Sequence, residues 1–338
     1  MKQINLITFA FTAMLLLSSC KTETQKEVER TSITPELTSD SIYTRMPGRL
    51  FKIDKYAIWE DPFGSAGFMH IIDTETKEEV ATMGKKGQGP NEFNTPLIGK
   101  GGDNRMFVFD LNSKKQALFS LHNLMSKKDY YIPLPDATDE RVTYKMQLDD
   151  KSIVSVNPAN PFLFKIEKNA SVVEFGQPFT NKDIDNPYDI YQGAIDFNKN
   201  KNRFVYASYA FPYIEIYNMK GREPSLVFAS EMPSDAYNIE GKRLRPNAQK
   251  NGALGLALSK DYIVTIQRDY EVDKTDESTV GMDFEKLPTT LFLYNYIGEL
   301  QKIVDIGIPI FRIAGDIESN DLFAIGVDPE FVLVKCEL

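Results

Sequence analysis

Histidine is nearly missing from this chain: His70 and His122 are the only two in 338 residues. Zinc-type centres and Ser-His-Asp hydrolases both depend on imidazole held beside other reactive groups. His70 falls inside a strand-like run and His122 beside a turn, so each reads as a structural histidine. No Gly-x-Ser-x-Gly elbow occurs; the nearest run, GSAG at 64–67, does not match it. No residue is assigned as catalytic or as a metal ligand, and no cofactor is expected. Cysteine is equally scarce, with Cys20 and Cys336 alone, which excludes a disulfide-stapled scaffold. Cys336 shares a strand face with Val332, Val334 and Leu338 and reads as a small core residue. Positive charge is thin as well, 39 Lys and Arg against 48 Asp and Glu, for a formal net charge of −9. Basic residues cluster only briefly, at 85–86 and 242–245, so nucleic acid is excluded as an expected partner. Nor does any internal stretch carry the 3.6-residue apolar period of a helical bundle.

What the chain does have is aromatic and apolar residues in short runs. Hydrophobic residues make up 42% of it, enough for a packed core, and the 22 Phe and 16 Tyr favour strands. One pattern recurs: strand, tight turn, strand, loop, strand, polar turn, strand. The first copy reads RLFKID at 49–54, YAIWED at 56–61, FMHIID at 68–73 and EVATMG at 79–84. The fourth reads GAIDFNK at 193–199, RFVYASY at 203–209, YIEIYN at 213–218 and SLVFAS at 225–230. Six such units of about 35–50 residues describe an all-β, six-bladed β-propeller of four-stranded antiparallel blades. A four-stranded sheet alone cannot bury both faces, whereas packing against its neighbours around a ring does so. The sixth unit supplies only three strands before the chain ends. A segment around 32–43 is expected to add as its outer strand, so that an N-terminal strand closes the ring.

The N-terminus has a different character. Lys2 precedes a largely apolar run from Leu6 to Leu17, too short to span as a stable helix, which is the layout of a secretory signal peptide. It ends in LSSC at 17–20, which resembles a bacterial lipobox and implies that Cys20 is the lipid-attachment residue. The expected division is a lipoprotein signal peptide at 1–19, a flexible stalk at 20–31 and the propeller at 32–338. Glu23, Glu27 and Glu29 in the stalk resemble the acidic tracts that direct some Gram-negative lipoproteins outward. The expected place is therefore the cell envelope of a Gram-negative bacterium, as an outer-membrane lipoprotein facing the periplasm or the exterior. The lipid bilayer, reached through Cys20, is an expected partner.

Between the first and second units runs GKKGQGPNEFNTP at 84–96. Its glycines suit backbone with positive φ, Pro90 and Pro96 stiffen the path, and Phe93 is placed to plug between blades. The run lacks the Gly-Lys-Ser/Thr end and following helix of a P-loop. With the four-strand units, this segment resembles the bacterial six-bladed propeller lipoproteins related to the NHL and TolB-like propellers. The resemblance covers residue 49 to the C-terminus together with the leader. It implies the fold and says little about activity.

In such a blade, the loops after the second strand and the links between blades lie at one end of the ring. That end carries the long segments, at 60–67, 157–161, 207–212, 269–288, 84–96, 179–192 and 232–251, while the other end has short turns. Long loops in a compact domain are usually functional or disordered, and their gathering at this end makes it the expected business face. Trp59, Phe63, Tyr209, Phe211 and Tyr213 are candidate stacking platforms for a sugar or peptide. The expected function is a non-catalytic binding or scaffolding module for an extracellular glycan, peptide or protein. The alternative is a propeller enzyme, a lyase or hydrolase, with its site at the central channel, where Asp196 on a first strand is the inner candidate. The acidic run at 269–288 lacks the order of a calcium loop and reads as a solvated flap.

Overall fold

The computed structural model describes residues 28–338, except 41, 66, 138–141, 150–151, 169–170, 181–182, 222, 248–251 and 275–282. The leader, Cys20 and most of the expected stalk lie outside these residues. The chain forms a six-bladed propeller. Each of blades 1 to 4 is one four-stranded antiparallel sheet whose spatial order follows the sequence. Blade 1, for example, comprises Leu50–Ile53, Tyr56–Glu60, Met69–Asp73 and Glu78–Met83.

The sequence pattern explains why the sheets stack around a ring. Second strands are buried along nearly their whole length, as in Arg105–Asp110, where Phe107 and Val108 point to opposite faces and both are fully buried. A sheet with one wet face would alternate instead. Outer strands such as Glu78–Met83 expose most of their residues. Turns after the third strands of blades 1, 4 and 5 share one device. Asp73, Asn218 and Asn295 each fold a side-chain oxygen onto the backbone N–H two residues later, an Asx-turn that tightens the hairpin.

The seams between blades differ in chemistry. Phe93, from the 84–96 link, is wholly buried between blades 1 and 2, with Phe68, Phe119 and Tyr131 at ring distances of 5.9–6.5 Å. Gly84 begins that link at φ 80°, and a Cβ there would sit 2.4 Å from the Phe68 ring, so only glycine fits. Blades 3 and 4 meet through Phe164, Phe175, Phe204 and Tyr217 in edge-to-face or tilted contact. In the same region Glu215 is buried and accepts from the hydroxyls of Tyr213 and Tyr217, 2.7 Å each. Its carboxyl is pushed above the usual range by burial. Blades 5 and 6 meet through aliphatic residues, among them Val264, Ile310, Leu322 and Val334. Cys336 lies in this cluster, 2% exposed, and burial raises its thiol to about 11, as suits an inert core residue.

The ring closes as expected, with one addition. Glu36–Ser39 pairs antiparallel with Phe331–Glu337 and completes blade 6. Before it, Glu29–Ser32 pairs in parallel with Leu300–Asp305 as a fifth strand of blade 5. The chain is thus built into the propeller from Glu29, inside the segment expected to be stalk. Arg30 fixes this strand by ion pairs to Asp269 and Glu271. Lys77 of blade 1 donates to Glu36 Oε1 and to the Leu37 carbonyl. One short segment therefore ties three blades together.

Candidate ligand pocket at the channel mouth

The six first strands line the central channel. At the long-loop end it opens as a cavity of about 430 Å³, bounded by residues of all six blades. A second cavity of about 450 Å³ opens at the short-turn end. Lys100 borders both, and its Nζ lies 2.9 Å from each oxygen of Asp196. This ion pair crosses from blade 2 to blade 4 and separates the two cavities.

Above it, Arg49 and Arg312 line the outer cavity. Arg49 lies immediately before the first strand of blade 1. Its guanidinium stacks on the Tyr144 ring at 3.7 Å, and Nη1 donates to the Ile98 carbonyl. Arg312, in the first strand of blade 6, donates from Nε to the Gly48 carbonyl at 2.8 Å and from Nη1 to the Phe311 carbonyl. Among the described residues neither guanidinium is ion-paired with a carboxylate. Glu60 is close but turned to the backbone, its Oε2 accepting from the Arg49 N–H at 3.0 Å. A Cβ on Gly48 would lie 2.4 Å from that oxygen, so glycine leaves room for the carboxyl.

Electrostatics follow from burial. Burial pushes the Glu60 carboxyl up, against the pull of the Arg49 N–H and of the Arg49 and Arg312 charges. The Arg312 cation is disfavoured first by burial and also by the like charge of Arg49. Tyr144 is raised to about 12 by burial and stays a neutral phenol. The rest of the wall is apolar, with Ile195, Leu254, Leu256 and Ile313.

The five aromatic candidates do not form one platform. Tyr209 lines the cavity and is 39% exposed. Phe63 is exposed on the 60–67 loop. Trp59 is 1% exposed and stacks on His70 at 4.2 Å, Phe211 is buried against Phe179 and Tyr237, and Tyr213 is committed to Glu215. These three have no free face for a ligand, because each is a wedge within or between blades. His70 rests against Glu79, 3.0 Å from Nδ1. The Asp269 end of the acidic flap is held by Arg30, and its return leg docks Phe284 on Phe311 and Phe331. Among the described residues no group of three or more potential metal ligands converges.

Asp196 does face the channel, as its first-strand position implied, but paired with Lys100. Arg49, Arg312, Tyr144 and Lys100 were not singled out from the sequence. A signal existed: Arg49, Tyr144 and Arg312 fall just before or within the first half of first strands, the half nearer the channel mouth.

The sequence matches the TolB-like 6-blade propeller-like family over residues 25–311. No curated protein matches it. Among solved structures it is similar to a member of the DUF4221 family from Bacteroides vulgatus, with 12% identity and a TM-score of 0.54, over 90% of this chain and 93% of that one. The β-propeller domain of Cps50 (Swd1) from Myceliophteria thermophila is a more distant likeness, at 10% identity and a TM-score of 0.45, over 87% and 98%. Identities this low speak for fold alone. With six blades in the structure and the family match spanning most of the chain, the protein belongs to the TolB-like six-bladed propeller family.

Proposed function

We propose that the protein is a non-catalytic binding module of the bacterial envelope, tethered by lipid on Cys20, which takes an extracellular glycan or peptide ligand in the channel mouth at its long-loop end. The observation that carries this reading is the cavity of about 430 Å³ between Arg49, Arg312, Tyr144 and Tyr209. Pockets of this size, mostly apolar with a few oriented polar groups, are where proteins hold small ligands. Binding is favoured over catalysis because the groups of the cavity that could act as acid or base are engaged or inert. Both Asp196 oxygens bond Lys100, and the Tyr144 phenol is too weak an acid to supply a base near neutrality.

The test is a thermal-shift and calorimetric screen of the purified full-length chain in detergent against glycans and peptides. A ligand present at about 100 times its Kd adds roughly 2.7 kcal/mol of native stability, enough for a clear shift. Tyr209→Ala is expected to weaken the best ligand about 10-fold or more while leaving the unliganded Tm within a few degrees. Binding that ignores Tyr209→Ala and every other cavity substitution would place the site elsewhere.

The tether is tested separately by cell fractionation. Cys20→Ser is expected to move the protein from the membrane to the soluble fraction, since one thiol carries the lipid anchor. Retention of the variant in the membrane fraction would refute the tether.

A further inference from the structure

We infer that the ligand of the channel mouth is an organic monocarboxylate, its carboxylate held between Arg49 and Arg312 and its uncharged body against the apolar wall. This rests on the reading of the channel mouth as the ligand pocket and adds the chemistry of what enters it.

Both guanidiniums are held in place by groups that carry no negative charge. Arg49 is fixed by the Tyr144 ring and a carbonyl, Arg312 by two carbonyls and the Phe311 ring. An arginine has five N–H donors; Arg49 commits one of them to the protein and Arg312 two. Planar forks of this kind match a carboxylate in two-point hydrogen bonding. Orientation is set before binding, so little entropy is lost when the anion arrives.

Charge gives a second, independent argument. The protein as a whole is acidic, at −9, so cations gathered in its channel are no by-product of a basic composition. Lys100 and Asp196 neutralise one another. What remains is two guanidiniums against Glu60, an excess of one positive charge when Glu60 is ionised. Two like charges facing a partly buried cavity oppose each other, and each raises the cost of burying the other. A single carboxylate removes that opposition. With Glu60 ionised, a phosphate dianion would bring a charge more than the site offers. The walls, with Phe51, Ala194, Ile195, Leu254, Leu256 and Ala314, call for an organic body on the acid.

The experiment compares acids with their own neutral amides on the full-length protein in detergent. The probes are hexuronates against hexuronamides, N-acetyl amino acids against their amides, and aromatic carboxylic acids against theirs, with inorganic phosphate as competitor. The best acid is expected to bind at least 10-fold more tightly than its amide. Arg49→Gln and Arg312→Gln are each expected to erase most of that preference, and Arg312→Lys to keep part of it. Circular dichroism and Tm establish that each variant is folded; should one arginine variant fail this, the other carries the test. Equal binding of acid and amide, a preference that survives both Gln variants, stronger competition by phosphate than by any acid, or no acid binding at all would overturn the inference. In the first of these cases, loss of binding in Tyr209→Ala would leave the pocket reading intact. Ligands insensitive to Tyr209 and to both arginines would overturn the pocket reading as well.

Discussion

Deleting residues 1–40 is expected to lower the Tm by about 7 °C or more relative to a chain lacking only 1–27, or to prevent folding altogether. The deleted segment supplies the outer strand of blade 6 and the fifth strand of blade 5. Without it the Phe331–Glu337 strand loses its ladder partner, and the blade 5–6 cluster loses the cover of Ile33. Arg30 no longer holds Asp269, and Lys77 no longer holds Glu36. Blade 6 would still pack on blade 1 through Trp59, Phe311 and Phe323, but its sheet would lack the strand that carries the chain from blade 6 into blade 1. A loss of about 5 kcal/mol follows from one sheet edge, one partly buried side chain and the ion pairs, and in a domain of about 300 residues each 1 kcal/mol is worth roughly 1.5 °C. Thermal melts of the two truncations decide the matter. Identical Tm values would show that the segment decorates the ring without closing it. Partial recovery on adding a synthetic peptide of residues 28–40 would show closure directly.

Asp110→Ala is expected to destabilise the protein by about 2–3 kcal/mol, because a single buried carboxylate orders two loops at once. Asp110 is fully buried. Its Oδ1 accepts from the N–H groups of Asn112 and Ser113, closing the turn after the second strand of blade 2. Its Oδ2 accepts from the N–H groups of Asn94 and Thr95 at the end of the 84–96 link. Alanine removes the one acceptor that these four donors share, on two loops whose own residues are exposed. The pH dependence supplies a second reading of the same variant. Burial works to raise the Asp110 carboxyl, but the four N–H donors outweigh it and the net shift is downward. A carboxyl lowered in the folded state stabilises fully above its unfolded value of about 4, and that stability is lost as pH falls through the folded value. The gap between wild type and Asp110→Ala should therefore be widest near neutrality and shrink below about pH 4. Urea melts at pH 7 and pH 3 measure it. A gap that does not change with pH would mean that packing, and not the carboxylate, holds these loops.

Much of the architecture was legible because it repeats. Continuous apolar second strands such as FVYAS and LFAIG state that a sheet is covered on both faces, and six copies of one unit state a ring. Phe93 was legible as a wedge because an aromatic in a Gly- and Pro-rich link has few other places to go. The three-stranded sixth copy announced a missing strand, and Glu36–Ser39 fills it. Glu29–Ser32 was not legible. It is short and polar, and it becomes a strand only because the edge of Leu300–Asp305 is there to pair with.

The same contrast runs through the site. Trp59, Phe211 and Tyr213 have the composition of a binding face, yet the sequence does not say whether an aromatic in a long-loop region turns outward or wedges inward; the neighbouring blade decides that. Tyr209 is separated from Phe211 by one residue and has the opposite fate. Arg49 and Arg312 are 263 positions apart in the numbering and become neighbours only where blade 6 meets blade 1. What the sequence by itself determined is the unit, its number and the need for closure, because these depend on local patterning that every copy restates. What only the tertiary structure decided is which side chains meet at the channel, because ring closure brings together first strands that no local rule connects.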